Sequence, residues 1–304
     1  MTVHFSRYTG KRGRSSAQPC PAHGNDMHNA DLYESASQLQ RRDAEEALDE
    51  LVPRMSWGVG EWVCDQGSGD GYVTERMLAA RLPRDFAQIV GMDKSVEMVR
   101  YAAQHHQSDE RINFVQQDVE DAATVGPRWR GRFSKVFSFM CWHWVQDQSR
   151  VSNTTFEMLA PGGEFGLVCL ARSPIYDMFR DMSRSAKWSK YMQDVHNFIS
   201  PYHDSDRPDI AITKYLDGAG LQVIFCSCRE KTYTYKSLDA LRESITAVNP
   251  FLSRIPAEQR EEYIGDCMRK VHELRLIHNN NNDKDDGVSH TYSQLVVHAR
   301  KPWL

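Results

Sequence analysis

WVCDQGSGDGYVTERMLAARL, residues 62–82, is the stretch whose reading decides the fold. WVCD has strand composition, and YVTERMLAARL is helical by pattern. Between them lies QGSGDG, residues 66–71, in which Gly67, Ser68, Gly69 and Gly71 let the backbone approach a ligand closely where a helix begins. The glycines are spaced G-x-G-x-G rather than G-x-G-x-x-G. Glycine-rich turns also occur for purely structural reasons, so the loop alone does not name a ligand.

Working outward, the alternation continues. AQIVGMD is a strand, SVEMVRYAAQHH a helix, INFVQQD a strand, KVFSFM a strand followed by a helix over 149–159, and GEFGLVCLA a strand opened by the turn APGG. Strands alternating with helices predict an α/β fold, a doubly wound, mostly parallel sheet with helices on both faces. Farther on, the pattern predicts a helix over 209–217, a strand at LQVIFCSCREKTY, helices near 236–246 and 257–278, and a last strand at HTYSQLVVHA. NNNNDKDDG, residues 279–287, reads as a solvated loop. RWRGR, residues 128–132, reads as a solvated basic turn.

Upstream, residues 31–51 are helical, with Asp31 and Glu34 spaced as a capping box. Tyr33, Ala36, Ala44, Ala47 and Leu51 repeat at helical spacing, and Gln40 falls inside that apolar stripe. A buried amide without partners costs about 1–3 kcal/mol, so Gln40 needs either backbone or ligand to bond.

The bulk numbers narrow the function classes. With 304 residues, 40% of them hydrophobic, the chain can bury a sizeable core. A net charge of −4 gives no footprint for nucleic acid, and no N/D-P-P-Y/F follows KVFSFM. No run of 18 apolar residues exists to span a membrane. The seven cysteines, Cys20, Cys64, Cys141, Cys169, Cys226, Cys228 and Cys267, are odd in number and lack zinc-site spacing. They read as reduced thiols of a cytoplasmic protein without a metal. Residues 1–26 carry Arg7, Lys11, Arg12 and Arg14 with no acid until Asp26. They read as a disordered basic tail, a transit peptide being the alternative; the domain is expected over 27–304. The sequence leaves a homodimer open.

The acids behind the loop point to the ligand. Asp93, at the end of its strand and 22 residues after Gly71, can accept both hydroxyls of a ribose. Asp118, ending the next strand, can meet an adenine amino group. Lys94 and Val119, next to these acids, join the set. Asp65 and Asp70 flank the turn and repel a diphosphate while attracting a sulfonium or ammonium. Together these features favour S-adenosylmethionine over a dinucleotide.

The loop resembles the motif of class I S-adenosylmethionine-dependent methyltransferases. NADLYESASQLQRRDAEE, FSFMCWHWVQDQ, LAPGGEFGLVCLA, SPIYDMFRDMSRSAKWSKYMQDV and FISPYHDS resemble, within that class, the juvenile hormone acid O-methyltransferase family, from about Met27 onward. The resemblance implies a seven-stranded Rossmann-like sheet ordered 3-2-1-4-5-7-6, S-adenosylmethionine as methyl donor, and an acceptor such as farnesoic acid or juvenile hormone acid. It also implies that the acceptor carboxylate lies between Gln40 and Trp144. His143 either bonds that carboxylate or only packs, and Trp142 packs beneath the cofactor or against the sheet. The long insertion 173–208, with Tyr176, Met178, Phe179, Met182, Trp188, Tyr191, Met192, Phe198 and Tyr202, is expected as a lid whose apolar side chains form core, line a pocket, or both. Gln66 departs from the motif, which usually carries an aliphatic residue there; pointing inward, it would need a partner. Three functions fit the sequence: the carboxyl methyltransferase for an isoprenoid acid, the same chemistry on another fatty or terpenoid acid, and a cofactor-binding protein without turnover.

Overall fold

The computed structural model describes residues 36–120, 125–279 and 287–303. The basic segment 1–26, the proposed cap Asp31–Glu34 with Tyr33, and most of the loop 279–287 lie outside the described residues.

Among the described residues eight strands form one sheet: β1 (Trp62–Gln66), β2 (Gln88–Asp93), β3 (Ile112–Gln116), β4 (Phe133–Phe139), β5 (Leu159–Arg172), β6 (Gln222–Tyr235), β7 (His278–Asn279) and β8 (Val288–Arg300). Their order is β3-β2-β1-β4-β5-β8-β6, with β7 paired to β8. With β8 as the seventh long strand, this is the expected order; the two-residue β7 is an addition. Strands β3 to β5 pair in parallel, and β8 runs antiparallel to both neighbours. Helices cover both faces of the parallel part, which is why β1 and β4 are buried almost throughout.

The helices are α1 (Gln38–Leu51), α2 over 73–81, α3 (Val96–His105), α4 (Gln148–Met158), α5 (Pro174–Ser183), α6 (Pro208–Gly218), α7 (Leu238–Ala247) and α8 (Arg260–Glu273). Helix α2 departs from the expected α-helix, because Val73–Leu78 is wound as a π-helix, a geometry common near functional sites. RWRGR is not wholly solvated either: Trp129 turns inward and stacks on Phe133 at 5.5 Å between ring centres.

Helix α1 buries Leu39, Ala44, Ala47, Leu48 and Leu51 against the sheet. It also buries Asp43 completely, and that charge is partnered on every side. Asp43 accepts from Arg42 at 2.9 Å, from Lys231 of β6 at 2.7 Å and from the Tyr292 hydroxyl of β8 at 2.6 Å. Removing one partner of such a buried ion pair costs about 3–5 kcal/mol. Arg229 of β6 adds a bidentate bridge to Glu50 at 2.7 and 2.8 Å. These bonds fix α1 to the β6/β8 edge and so fix where Gln40 sits.

Above the carboxyl edge of the sheet, α5, α7 and α8 form a cap with its own core. Phe179 and Phe198 both meet Phe251 edge-on, and the Trp188 indole N–H donates to Asp266 at 2.8 Å.

Candidate active site

The loop after β1 is shaped by glycine. Gly67, Gly69 and Gly71 have φ of +75°, +54° and +85°. A Cβ on Gly67 would lie 2.2 Å from the Cys141 sulfur, so this turn admits no side chain. Gly67 and Ser68 donate their N–H groups to the Met92 carbonyl at 2.7 and 3.0 Å, tying the loop to β2. Asp93 takes the Gly69 N–H on one carboxylate oxygen (3.0 Å) and the Ser95 N–H on the other (2.9 Å). It therefore bridges the loop to the start of α3. Burial raises its pKa above the usual carboxylate range despite these bonds.

Three adjoining hollows open here. The first, about 720 Å³ of empty space including its mouth, is lined by Gly67, Gly69, Asp93, Lys94, Asp118 and Val119 on one side and by Cys141 and Trp144 on the other. Asp118 does not end β3, as the sequence suggested. The strand stops at Gln116, and Asp118 sits in the following turn, where it accepts the Glu120 N–H at 2.9 Å. The second hollow, about 390 Å³, is lined by Gln40, Asp65, Ser68 and Asp70 and shares Gly67 and Gly69 with the first. Asp65 receives the Thr74 hydroxyl at 2.6 Å on one oxygen; its other oxygen and the Ser68 hydroxyl are buried without a partner. Burial pushes Asp65 up to about 7, against the Thr74 bond and helped by the nearby Asp93 and Asp70.

The third hollow, about 870 Å³, runs under the cap. Gln40 borders it as well as the second hollow, and Trp144 borders it as well as the first. Met140 lines all three. It is one of two non-glycine residues with positive φ among the described residues, at +52°, a strain that clusters at functional sites. Nothing in its sequence neighbourhood singled it out.

The tryptophan-rich turn divides its labour. Trp142 is fully buried and packs on Phe165 of β5, against the sheet rather than beneath the first hollow. His143 is buried, and its Nδ1 accepts the Leu170 N–H at 3.3 Å, so a neutral ring carries its proton on Nε2. Burial pushes its pKa down to about 3. His143 and the half-buried Trp144 line the third hollow. The Gln40 Oε1 is buried without a partner. Exchanging amide O and N leaves the same vacancy, which suits a ligand.

Two motifs that looked separate are bolted together. The Gln148 amide donates to the carbonyls of Trp142 (3.0 Å) and Val145 (2.7 Å), and its oxygen takes the Tyr202 hydroxyl at 2.6 Å. Gln146 donates to the carbonyls of Asn197 and Ile199. FISPYHDS thus holds the turn that carries His143 and Trp144. Gln66 is likewise satisfied inside the sheet: it is fully buried, and the Thr155 hydroxyl donates to it at 3.0 Å.

The insertion contributes less wall than its composition suggested. Of its nine aromatic and methionine side chains, Tyr176 lines the third hollow. The others serve the cap and sheet cores or lie partly buried against them. Much of the wall comes instead from α7 and α8 and the residues after α8: Leu241, Ile245, Val248, Val271, Leu276 and Ile277. The sequence reading missed these, because their apolar faces look like ordinary helix core.

Residues 63–163 match the family described as "Methyltransferase domain". The chain is 37% identical over 278 residues to the juvenile hormone acid O-methyltransferase of Bombyx mori, covering 90% of this chain and 98% of that protein. It is 36% identical to the protein of the same name from Drosophila melanogaster, over 90% and 93% of the two chains. Among solved structures, the YcgJ protein of Bacillus subtilis superposes with a TM-score of 0.54 at 16% identity, over 84% of this chain and 98% of that one, a likeness of fold alone.

Proposed function

The chain belongs to the juvenile hormone acid O-methyltransferase family of S-adenosylmethionine-dependent methyltransferases, and from that premise we propose that it esterifies the carboxylate of an isoprenoid acid of the farnesoic or juvenile hormone acid type. The observation that carries this reading is the junction at Met140, where a hollow lined by acids and glycines meets a long apolar one between Gln40 and Trp144.

The first two hollows fit S-adenosylmethionine. Asp93 would take the ribose hydroxyls, and Asp118 with Val119 the adenine. The unpartnered oxygens of Asp65 and Ser68 would take the polar groups of the methionine end. The cofactor supplies a methyl group on a positively charged sulfur, open to displacement by a nucleophile.

This chain's residues have the remaining work of binding and aiming. An acid is ionised near pH 7, so its oxygen is already nucleophilic and needs no general base. The Gln40 amide and the Trp144 indole offer neutral N–H donors to that oxygen, and the His143 Nε2–H a third. Because negative charge on the acceptor falls as the methyl transfers, strong cationic partners would favour the ground state; neutral donors orient with less penalty. His143, held near 3 by burial, stays uncharged at working pH and fits that requirement. The cap excludes water and aligns the chain for in-line attack.

The test is transfer of labelled methyl from S-adenosylmethionine to a panel of acids. Ester from long isoprenoid acids and little from short polar acids is expected. Esters from other fatty acids only would move the substrate assignment, and no ester at all would leave a binding protein.

A further inference from the structure

The three hollows meet at Met140, which lines each of them, while Gln40, Phe139 and Trp144 each line two. The residue is nevertheless only 8% exposed. Strand β4 ends one residue earlier, at Phe139, and the Met140 N–H adds one more bond to its ladder with β5, donating to the Val168 carbonyl at 2.8 Å. Two residues on, the chain is already in the tight turn Trp142–Trp144. The switch from strand to turn is made at Met140, with its φ of +52°. The residues that follow are held in place: Cys141 lies against Gly67, and Trp142 is fully buried on Phe165.

A glycine would take this conformation without the clash that a Cβ brings, and the facing loop has one at Gly67. The other non-glycine residue with positive φ among the described residues, Arg275, follows the end of α8, where a left-handed residue is an ordinary helix stop. Met140 ends no helix. A side chain kept where glycine fits better points to a use for that side chain. Methionine has no N–H or O–H, so it brings neither a rival nucleophile nor a firmly bound water to the place where the hollows meet. Its unbranched thioether fills an irregular gap closely. An acid clasped by Gln40 and Trp144 would have its carboxylate, and the carbon next to it, beside this wall.

Resting on the carboxyl methyltransferase reading above, we propose that Met140 is a specificity-determining residue: its side chain narrows the opening between the donor and acceptor hollows to the width of a flat carboxylate, and so selects acids that carry no branch on the carbon next to the carboxyl group. A branch at that carbon presses on the Met140 side chain when the head group is clasped. The acid then either leaves the clasp or holds its oxygen short of the methyl, and in-line transfer tolerates little misplacement. The neutral donors fix where the head group sits, and Met140 decides how wide it can be.

The experiment compares kcat/KM for farnesoic acid with that for the same acid carrying one methyl group on the carbon next to the carboxyl. The unmodified protein is expected to prefer the unbranched acid about tenfold or more, the scale of one extra carbon in a tight apolar site. Met140→Ala removes the side chain beyond Cβ, and Met140→Gly removes it entirely while suiting the backbone angle, so the glycine variant serves even if the alanine one folds poorly. Each should bring the ratio of the two acids close to one. Met140→Leu keeps the volume and should retain most of the preference. A ratio near one in the unmodified protein, or a preference that survives both truncations, overturns the proposal. Dissociation constants of the same two acids are measured by calorimetry in parallel, with S-adenosylhomocysteine present. If neither acid is methylated, the activity reading fails, but the ratio of these constants before and after truncation still decides the role of Met140 in either direction.

Discussion

The hollows on the two sides of Trp144 are made by different means. The one facing the glycine loop is more local: the carboxyl ends of β1 to β4, their following turns and the start of α3 line it, and its key bonds run between residues about 24 positions apart or fewer. The one under the cap is assembled from α1, the insertion, α7, α8 and the far ends of β6 and β8, joined across more than 200 residues. The first relies on backbone and carboxylates held rigidly, the second on shape with a few donors. A chain can thus keep one methyl donor and change acceptors by altering only the second. The contrast predicts that damage on the donor side is severe and general, whereas damage on the acceptor side is graded and depends on the acid.

The largest effect is expected from Gly67→Ala. The new Cβ would collide with the Cys141 sulfur at a backbone angle that disfavours any side chain. Strain of about 1–3 kcal/mol plus the clash should weaken S-adenosylmethionine binding by at least about a hundredfold. Isothermal titration with cofactor checks it. Near-normal affinity would mean that the loop does not touch the cofactor.

Next in size is Gln40→Leu, which removes one donor of the clasp and fills the space. A hydrogen bond to a charged group is worth about 1.5–3 kcal/mol, so kcat/KM for the acid should fall about ten- to a hundredfold. Cofactor affinity should fall by a smaller factor, because Gln40 also borders the second hollow. Trp144→Phe should lower kcat/KM similarly and disturb cofactor binding more, since its ring borders the first and larger of the two cofactor hollows. Equal loss of cofactor affinity in both variants would erase the distinction between the two sides.

How much of this was legible in the sequence follows the same divide. The meeting of Asp93 with the glycines at one hollow was readable because their placement depends on near neighbours in the chain. The alternation gave a doubly wound sheet, and the strand order came from the resemblance. Gln66 looked like a flaw until Thr155, 89 residues away, turned out to be its partner. Trp188 and Phe198 suggested a pocket wall by composition alone, yet they serve the cap core, and which face of a cap helix points inward is set by packing with α7 and α8. Met140 is invisible in one dimension, since a positive φ at methionine carries no sequence signature.

A pH titration separates the two sides by a smaller amount. The free Asp65 carboxyl, raised to about 7 by burial, is mostly protonated at pH 6 and mostly ionised at pH 8. If it meets the cationic end of the cofactor, only the ionised form binds well. Affinity should therefore fall as pH drops below 7, by up to about tenfold per unit, with protons released on binding. Acid KM should stay flat over this range, because the acceptor is already ionised and His143, at about 3, is already neutral. Asp65→Asn should flatten the cofactor curve.

The smallest expected change is the most local test of how the acceptor side is held. Tyr202→Phe deletes the hydroxyl that donates to Gln148 and nothing else. The Gln148 amide would keep its bonds to the Trp142 and Val145 carbonyls but lose the group that fixes its rotation. Leaving that buried oxygen unsatisfied should cost about 1–3 kcal/mol of stability, read as a lower melting temperature. If the latch also aims Trp144, kcat should drop about two- to fivefold at temperatures well below melting, while cofactor affinity holds, because a small misplacement of a clasping donor slows transfer more than it weakens binding. Gln148→Ala, which frees both carbonyls, should push kcat further in the same direction. Full kcat in both variants despite lowered melting would make the latch a brace for the cap alone, and the aim of Trp144 would then have to come from its packing against His143 and Tyr176.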